Sequence, residues 1–402
     1  MKSPRFIYLI LSFIIIIAPD RMFGDDFILS QDVIPTDSIS AQEVAATDSV
    51  IRKDNLIKKI IRYFDETNKP HEEKAIDYSF IGGPAYSADT KLSIGLLGAA
   101  LYKSVRFDSL TPQSNATIYS NFSITGYYLV GIRGDHIGPK DSYRLHYKVA
   151  FSSMPTKFWG IGYNQNKLDS NETDYLHLNA ELNAAFEWKL AENLYLGPAL
   201  GFNYNNATDN DDWALWNGES RRTFNYGIGL NFSYDSRDNI TAPERGWFVG
   251  MEQRFYPSFM GNDYAFSSTE LTINKYFRGW KGAIIAGQVH GKITYGDTPW
   301  GMLAQLGGGH SMRGYYEGRY RDKCALDCTL ELRQHVWRRN SVVAWVGAGS
   351  VFPKFSNLHF REILPNFGIG YRWEFKKHVN VRFDIGFGKG EKGFEFNINE
   401  AF

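Results

Sequence analysis

The sequence predicts an all-β chain, a transmembrane antiparallel β-barrel of about sixteen strands. Three observations carry that expectation. An export leader opens the chain, and no later apolar run is long enough to cross a bilayer as a helix. From residue 78 to the end, apolar and polar residues alternate with period two in segments of roughly ten residues separated by Gly, Asn, Asp, Pro and Ser.

The leader comes first. Lys2 and Arg5 precede a largely apolar run over residues 6–18, which is 13 residues long, whereas a spanning helix needs about 17 to 25. This is the pattern of a secretory signal peptide occupying residues 1–24, cleaved between Ala18 and Gly24. No Cys lies in that window, so a lipoprotein anchor is not expected. Residues 25–77 read as a short periplasmic segment, polar and irregular, with one helical stretch at 49–64. There Val50, Ile51, Leu56, Ile57, Ile60 and Ile61 share a face that can pack in the barrel mouth or lie on a membrane surface. A frayed linker helix is the plainer alternative.

The aromatic content then has to be placed. The chain carries 24 Tyr, 29 Phe and 10 Trp, yet its mean hydropathy is slightly negative, because these residues alternate with Gly, Asn, Ser and charges instead of clustering. A barrel strand shows lipid one face and a polar lumen the other, which produces this mixture. Lys plus Arg equals Asp plus Glu at 44 each, so charge points to no nucleic-acid partner and no acidic substrate.

Strands are expected to start near 78, 91, 116, 127, 142, 174, 193, 221, 246, 264, 282, 328, 341, 366, 379 and 393. The alternation is clearest at the end. Phe394, Phe396, Ile398 and Phe402 share one face against Glu395, Asn397 and Asn399. In the preceding segment Val379, Val381, Phe383, Ile385 and Phe387 oppose Asn380, Arg382, Asp384, Gly386 and Gly388, which turns Arg382 and Asp384 towards the lumen. Ile369, Tyr371, Trp373 and Phe375 likewise oppose Arg372 and Glu374, and the strand after residue 328 adds Glu331 and Arg333 as lumenal candidates. One connection stands out, the Gly-rich, charged stretch from residue 296 to residue 327, and loops of that length are usually functional or disordered.

Within that loop lies Gly307-Gly308-Gly309-His310-Ser311-Met312-Arg313-Gly314-Tyr315. Here the chain resembles the BamA-like surface-antigen barrels, which include TamA and the two-partner-secretion transporters. Their sixth extracellular loop ends in an Arg-Gly-Phe/Tyr tip, matched by Arg313, Gly314 and Tyr315. Their penultimate strand carries Phe-Asp-x-Gly, matched by Phe383, Asp384, Ile385 and Gly386, and their C-terminal aromatic assembly signal is matched by Phe402. The resemblance covers roughly residues 78–402, including Asp235-Ser236-Arg237-Asp238 followed by Pro243 and Gly246, and Glu331-Leu332-Arg333 after the loop. It implies that the loop folds back into the barrel and that Arg313 meets Asp384 on the inner wall. A shielded pair of this kind would cost about 3 to 5 kcal/mol to break; in a wet lumen its worth falls to about 0 to 1 kcal/mol.

The two cysteines, Cys324 and Cys328, are four residues apart, which in an extended strand separates their Cα atoms by about 13 Å. A disulfide needs about 4.4 to 6.8 Å. The expectation is a turn at residues 325–327 that joins them, with two free thiols as the alternative. A zinc site would need two further ligands, and only His310 and His335 lie near in sequence. The triple glycine lacks the Gly-Lys-Ser/Thr of a phosphate loop, no Gly-x-Ser-x-Gly elbow occurs, and the nine histidines are scattered. No catalytic set, cofactor or metal is expected, and the chain is not expected to be an enzyme.

The largest departure from the family is at the N-terminus, where about fifty mature residues stand in place of the usual periplasmic POTRA domains, so the chain looks like a member without them. Three readings follow. The barrel assembles or translocates proteins at the outer membrane with a partner supplying client recognition; or it is a passive conduit or lipid-handling barrel; or it is a structural subunit of an envelope complex. The expected surroundings are the lipid bilayer and lipopolysaccharide, the outer-membrane assembly machinery and other envelope proteins.

Overall fold

A computed structural model describes residues 76–87, 91–105, 111–210 and 213–402. The leader, the segment that follows it to residue 75 and the helical stretch at 49–64 lie outside them. Sixteen strands form one antiparallel sheet in which every neighbour in sequence is a neighbour in space. In chain order they are β1 (Ile76–Ser87), β2 (Lys91–Tyr102), β3 (Ser114–Ser123), β4 (Tyr128–Ile137), β5 (Tyr143–Phe158), β6 (Thr173–Ala191), β7 (Leu194–Thr208), β8 (Arg222–Asp235), β9 (Gly246–Tyr256), β10 (Phe266–Arg278) and β11 (Ala283–Gly296). After the long loop come β14 (Cys324–Trp337), β15 (Asn340–Phe352), β16 (Leu364–Lys376), β17 (Val379–Phe387) and β18 (Lys392–Ile398). The loop itself contains a two-residue pair, β12 (Ala304–Gln305) with β13 (Arg321–Asp322). Among the described residues no ladder joins β1 to β18.

Burial inverts the pattern of a soluble protein. On β8, Phe224, Tyr226, Ile228 and Leu230 are exposed while Thr223, Asn225, Asn231, Ser233 and Asp235 are buried. On β16 to β18, Phe367, Ile369, Tyr371, Ile385, Phe394 and Phe396 are exposed while Asn366, Arg372, Arg382 and Asp384 are buried. Only a lipid-facing outside and a polar inside make that arrangement favourable, since every strand can pair its backbone groups within the sheet. An even strand count puts both ends of the sheet's chain path at one mouth. At that mouth several turns are two residues long, 192–193, 338–339 and 377–378, while the opposite mouth carries loops 159–172, 209–221, 257–265, 297–323 and 353–363.

Two expectations are corrected. Cys324 and Cys328 are both free, because β14 already begins at Cys324, four residues before its expected start, and its ladders with β11 and β15 run straight through residues 325–327. No turn forms there, so the pair stays too far apart to bridge. Phe402 does not continue the lipid face of β18. The strand ends at Ile398, and Asn399 adopts a left-handed backbone with φ 68°, a conformation that asparagine tolerates better than most residues. The chain then turns inward, so that the Phe402 ring lies near Tyr276 and under the Arg333 guanidinium.

Candidate functional site

The site is the place where loop 297–323, the sixth at its mouth, meets the inner wall of β14 to β18. Leu306, Met312, Tyr315 and Tyr320 of the loop are buried against Ala325, Val351 and Leu364 of the wall and Tyr163 of loop 159–172. Loop 159–172 also holds it through hydrogen bonds. The Arg321 backbone N–H donates to Asn166 Oδ1 at 2.9 Å, and Arg319 Nη2 lies 2.6 Å from Asp169 Oδ1. Loop 209–221 holds the first part, with Glu219 accepting from the Trp300 N–H at 2.8 Å.

At the tip, Arg313 is 2 % exposed. Its Nη1 donates to Asp384 Oδ2 at 2.8 Å and its Nη2 to Glu331, while its guanidinium stacks 3.7 Å from the centre of the Trp345 ring. The Trp345 indole N–H donates to Asn366 Oδ1 at 2.9 Å, and the Asn366 amide donates in turn to the Arg313 carbonyl. Both carboxylates are fully buried, so the pair belongs to the shielded regime in which losing one partner is expensive.

The backbone is just as close. Gly314 has φ 112°, and a Cβ there would stand 2.5 Å from the Gly386 carbonyl carbon; a Cβ on Gly386 would overlap the Arg313 carbonyl. Glycine is required at both positions by this approach. Tyr315 completes the tip. Its hydroxyl donates to the Pro365 carbonyl at 2.7 Å and accepts from the Lys389 N–H at 2.7 Å.

The other lumenal candidates fall into one network, apart from Glu374. Arg372 Nη1 reaches Asp384 Oδ1 at 2.5 Å and its Nε reaches Glu400 Oε2 at 2.8 Å. Arg333 Nε reaches Glu331 Oε1 at 2.7 Å, and its Nη2 donates to the Phe402 carbonyl at 2.9 Å. Glu374 sits outside this network at the mouth, accepting from the His378 N–H at 3.2 Å. Burial pushes the Glu400 carboxyl up, but Arg333 and Arg372 outweigh it and hold the group below the ordinary carboxylate range. Strand parity alone pointed to Arg333, Arg372 and Asp384. It could also have found Trp345 and Asn366, which share those faces, but not Glu400, which enters only because the chain turns at Asn399.

Arg382 is different. It is fully buried, its three guanidinium nitrogens have no hydrogen-bond partner, and Asp384 Oδ2 is 3.8 Å away. Four arginines, Arg313, Arg333, Arg372 and Arg382, thus face three carboxylates, Glu331, Asp384 and Glu400, within the network. Withdrawing the loop removes one cation and leaves three arginines with three carboxylates among these groups. Substituting Arg382→Met is therefore expected to stabilise the docked loop by roughly 1 to 3 kcal/mol, the cost of a buried unsatisfied polar group. It should appear as a higher denaturant midpoint; a lower midpoint would make Arg382 a support of the wall instead.

The loop also meets the inward-turned tail, where His310 Nδ1 donates to the Ala401 carbonyl at 2.8 Å. Burial holds the imidazole below its ordinary value; the Ala401 carbonyl pulls it up, and Arg382, Arg133 and Arg313 push it down. The docked state thus binds a proton less readily than the released loop. Docking is unaffected above about pH 6.5 and weakens as pH falls through and below that value. Channel openings in a planar bilayer should become more frequent at pH 5.5 than at 7.5, and His310→Gln should remove the difference.

Residues 132–402 match the Omp85 superfamily domain. Among solved structures, BamA from Haemophilus ducreyi lacking POTRA domains 1–3 superposes with a TM-score of 0.54 at 12 % identity, over 82 % of this chain and 70 % of that one. CdiB from Escherichia coli gives 0.53 at 11 % identity over 82 % and 62 %, and CdiB from Acinetobacter baumannii 0.51 at 11 % over 81 % and 60 %. The chain thus spans less than two thirds of either CdiB. No curated protein sequence matches it.

Proposed function

We propose that this chain, which belongs to the Omp85 superfamily and is an outer-membrane β-barrel, assembles or translocates proteins at that membrane, with a partner supplying client recognition. The observation that supports this most is the sheet order, in which, among the described residues, the first and last strands carry no ladder between them. Backbone donors and acceptors at such edges are templates for an incoming strand. The loop tip rests beside one of them, as the Gly314 Cα lies against Gly393 of β18. The contacts that hold the loop at the site are ionic and steric, and we take the activity to be non-enzymatic.

A direct test reconstitutes the protein in liposomes and follows the folding of a small, urea-unfolded outer-membrane barrel. Folding should be faster than in empty liposomes, and an engineered disulfide between β1 and β18 should abolish the gain. Equal rates with and without the protein would contradict the proposal. A passive conduit is the second reading, favoured by Glu252 and Glu270, whose side chains point inward yet keep 54 % and 41 % of their surface accessible.

A further inference from the structure

Loop 353–363 joins β15 to β16 at the mouth that carries the long loops, and its neighbours show which way it leans. Val342, Ala344 and Val346 of β15 are exposed on the lipid side, and the period of two puts Phe352 on the same face. Phe352 is nevertheless buried, with the Phe355 ring of the loop centred 5.4 Å from its own. Cys324, opposite Phe352 in the β14–β15 ladder, shares the lipid face with the exposed Leu326, Cys328 and Leu330. It too is buried, with its Sγ 4.0 Å from the Pro353 carbonyl. The loop therefore folds outwards over the rim of the sheet and continues its lipid-facing surface.

Two kinds of side chain lie exposed on it. Phe355, Leu358 and Phe360 are apolar, and Phe360, at 90 %, is the most exposed large apolar side chain among the described residues. Lys354, His359 and Arg361 alternate with them, all exposed. The loop's one acid, Glu362, is half-buried, and among the described residues neither Lys354 nor Arg361 is paired with a carboxylate. Two short turns at 355–357 and 360–362 fix the spacing. In them the Asn357 N–H donates to the Lys354 carbonyl at 2.9 Å and the Glu362 N–H to the His359 carbonyl at 3.0 Å.

We propose that loop 353–363 docks on the outer leaflet of the membrane, with Phe355, Leu358 and Phe360 entering the acyl boundary and Lys354 and Arg361 taking the phosphate groups of lipid headgroups. Aromatic rings settle at that boundary, and a guanidinium holds a phosphate through two parallel hydrogen bonds. Loop 257–265 provides a contrast within the same mouth. Its Phe259 is 83 % exposed, but its one charged residue is Asp263, so it can enter lipid without a cation to offer phosphate. Val351 and Leu364, on the strands that loop 353–363 joins, pack against loop 297–323, so lipid held here bears on the wall behind the lumenal loop. The proposal rests on the barrel and does not depend on the assembly reading.

The test attaches an environment-sensitive fluorophore at Asn357→Cys in the full chain, with Cys324 and Cys328 replaced by Ala. The protein is reconstituted in nanodiscs holding a fixed fraction of acyl-brominated phosphatidylcholine, with or without lipid A as about a third of the lipid. Bromine quenches the fluorophore when the loop enters the acyl region. The ratio of inserted to free loop should be about tenfold higher with lipid A, since each Lys or Arg beside an anionic leaflet favours association roughly fivefold. Lys354→Gln with Arg361→Gln should remove most of that gain, and Phe360→Ser should lower quenching in both discs. The same fluorophore at Ser258→Cys should be quenched equally with and without lipid A. Absence of quenching at residue 357 in both discs would overturn the membrane contact and assign the loop to a protein partner. A gain that is missing, that survives the double substitution, or that is equal at residue 258 would overturn the phosphate site. Should the doubly substituted protein fail to fold, salt decides: about 0.5 M should abolish the gain of the form with both cations, and an unchanged gain would overturn the proposal.

Discussion

Gly386→Ala is expected to expel the tip of loop 297–323 from the barrel wall while leaving the barrel folded. A methyl at that position would overlap the Arg313 carbonyl and crowd the Gly314 nitrogen, at 2.8 Å. These are backbone atoms, so no side-chain rotation relieves the contact. The wall cannot retreat, since β17 is laddered to β16 on one side and β18 on the other. The loop must therefore move, at a cost of roughly 3 kcal/mol, near the top of the usual range for overpacking. That corresponds to about a hundredfold shift towards the released state. Limited trypsin digestion in intact liposomes reads it out, because Arg313, Arg319 and Arg321 are buried when the loop is docked. Cleavage in the loop should accelerate about a hundredfold; an unchanged rate would mean that the wall yields and the tip stays.

The second large effect belongs to Asp384→Ala. One carboxylate serves Arg313 at 2.8 Å and Arg372 at 2.5 Å and lies 3.8 Å from Arg382. Without it, four buried arginines face only Glu331 and Glu400. Breaking a buried pair in this way costs about 3 to 5 kcal/mol, and part of that is recovered if the one cation not fixed to a strand, Arg313, leaves. The expected result is a released loop together with a lower denaturant midpoint for the barrel. Arg313→Ala makes the useful contrast. It also frees the loop, but leaves three arginines with three carboxylates, so the barrel midpoint should fall by much less. Equal falls for the two substitutions would show that the network supports the wall and not the loop.

These effects rest on features of unequal legibility in the sequence. The sixteen strands could be read because each has one lipid face, so alternation survives in every segment; the expected starts lie within four residues of those observed. The inward direction of Asp384, Arg372 and Arg333 followed from parity alone. That Arg313 crosses the lumen to meet Asp384 did not, since a loop arginine carries no periodicity, and only the likeness of the Arg-Gly-Tyr tip to a known family suggested it. Where local backbone decided the outcome, alternation misled. Asn399 ends β18 and turns Phe402 away from lipid, and the straight ladders of β14 keep Cys324 and Cys328 apart. The loop's attachments to Asn166, Asp169 and Glu219 join segments more than 80 residues apart in sequence. No pattern in a single chain announces such contacts.

The central claim is that loop 297–323 closes the lumen and is held there by Asp384. Ion conductance across a planar bilayer, comparing the unaltered protein with Asp384→Ala, tests it most directly. A small, unsteady conductance that rises severalfold and becomes steady on substitution is the predicted result. A large, steady conductance that the substitution leaves unchanged would contradict it.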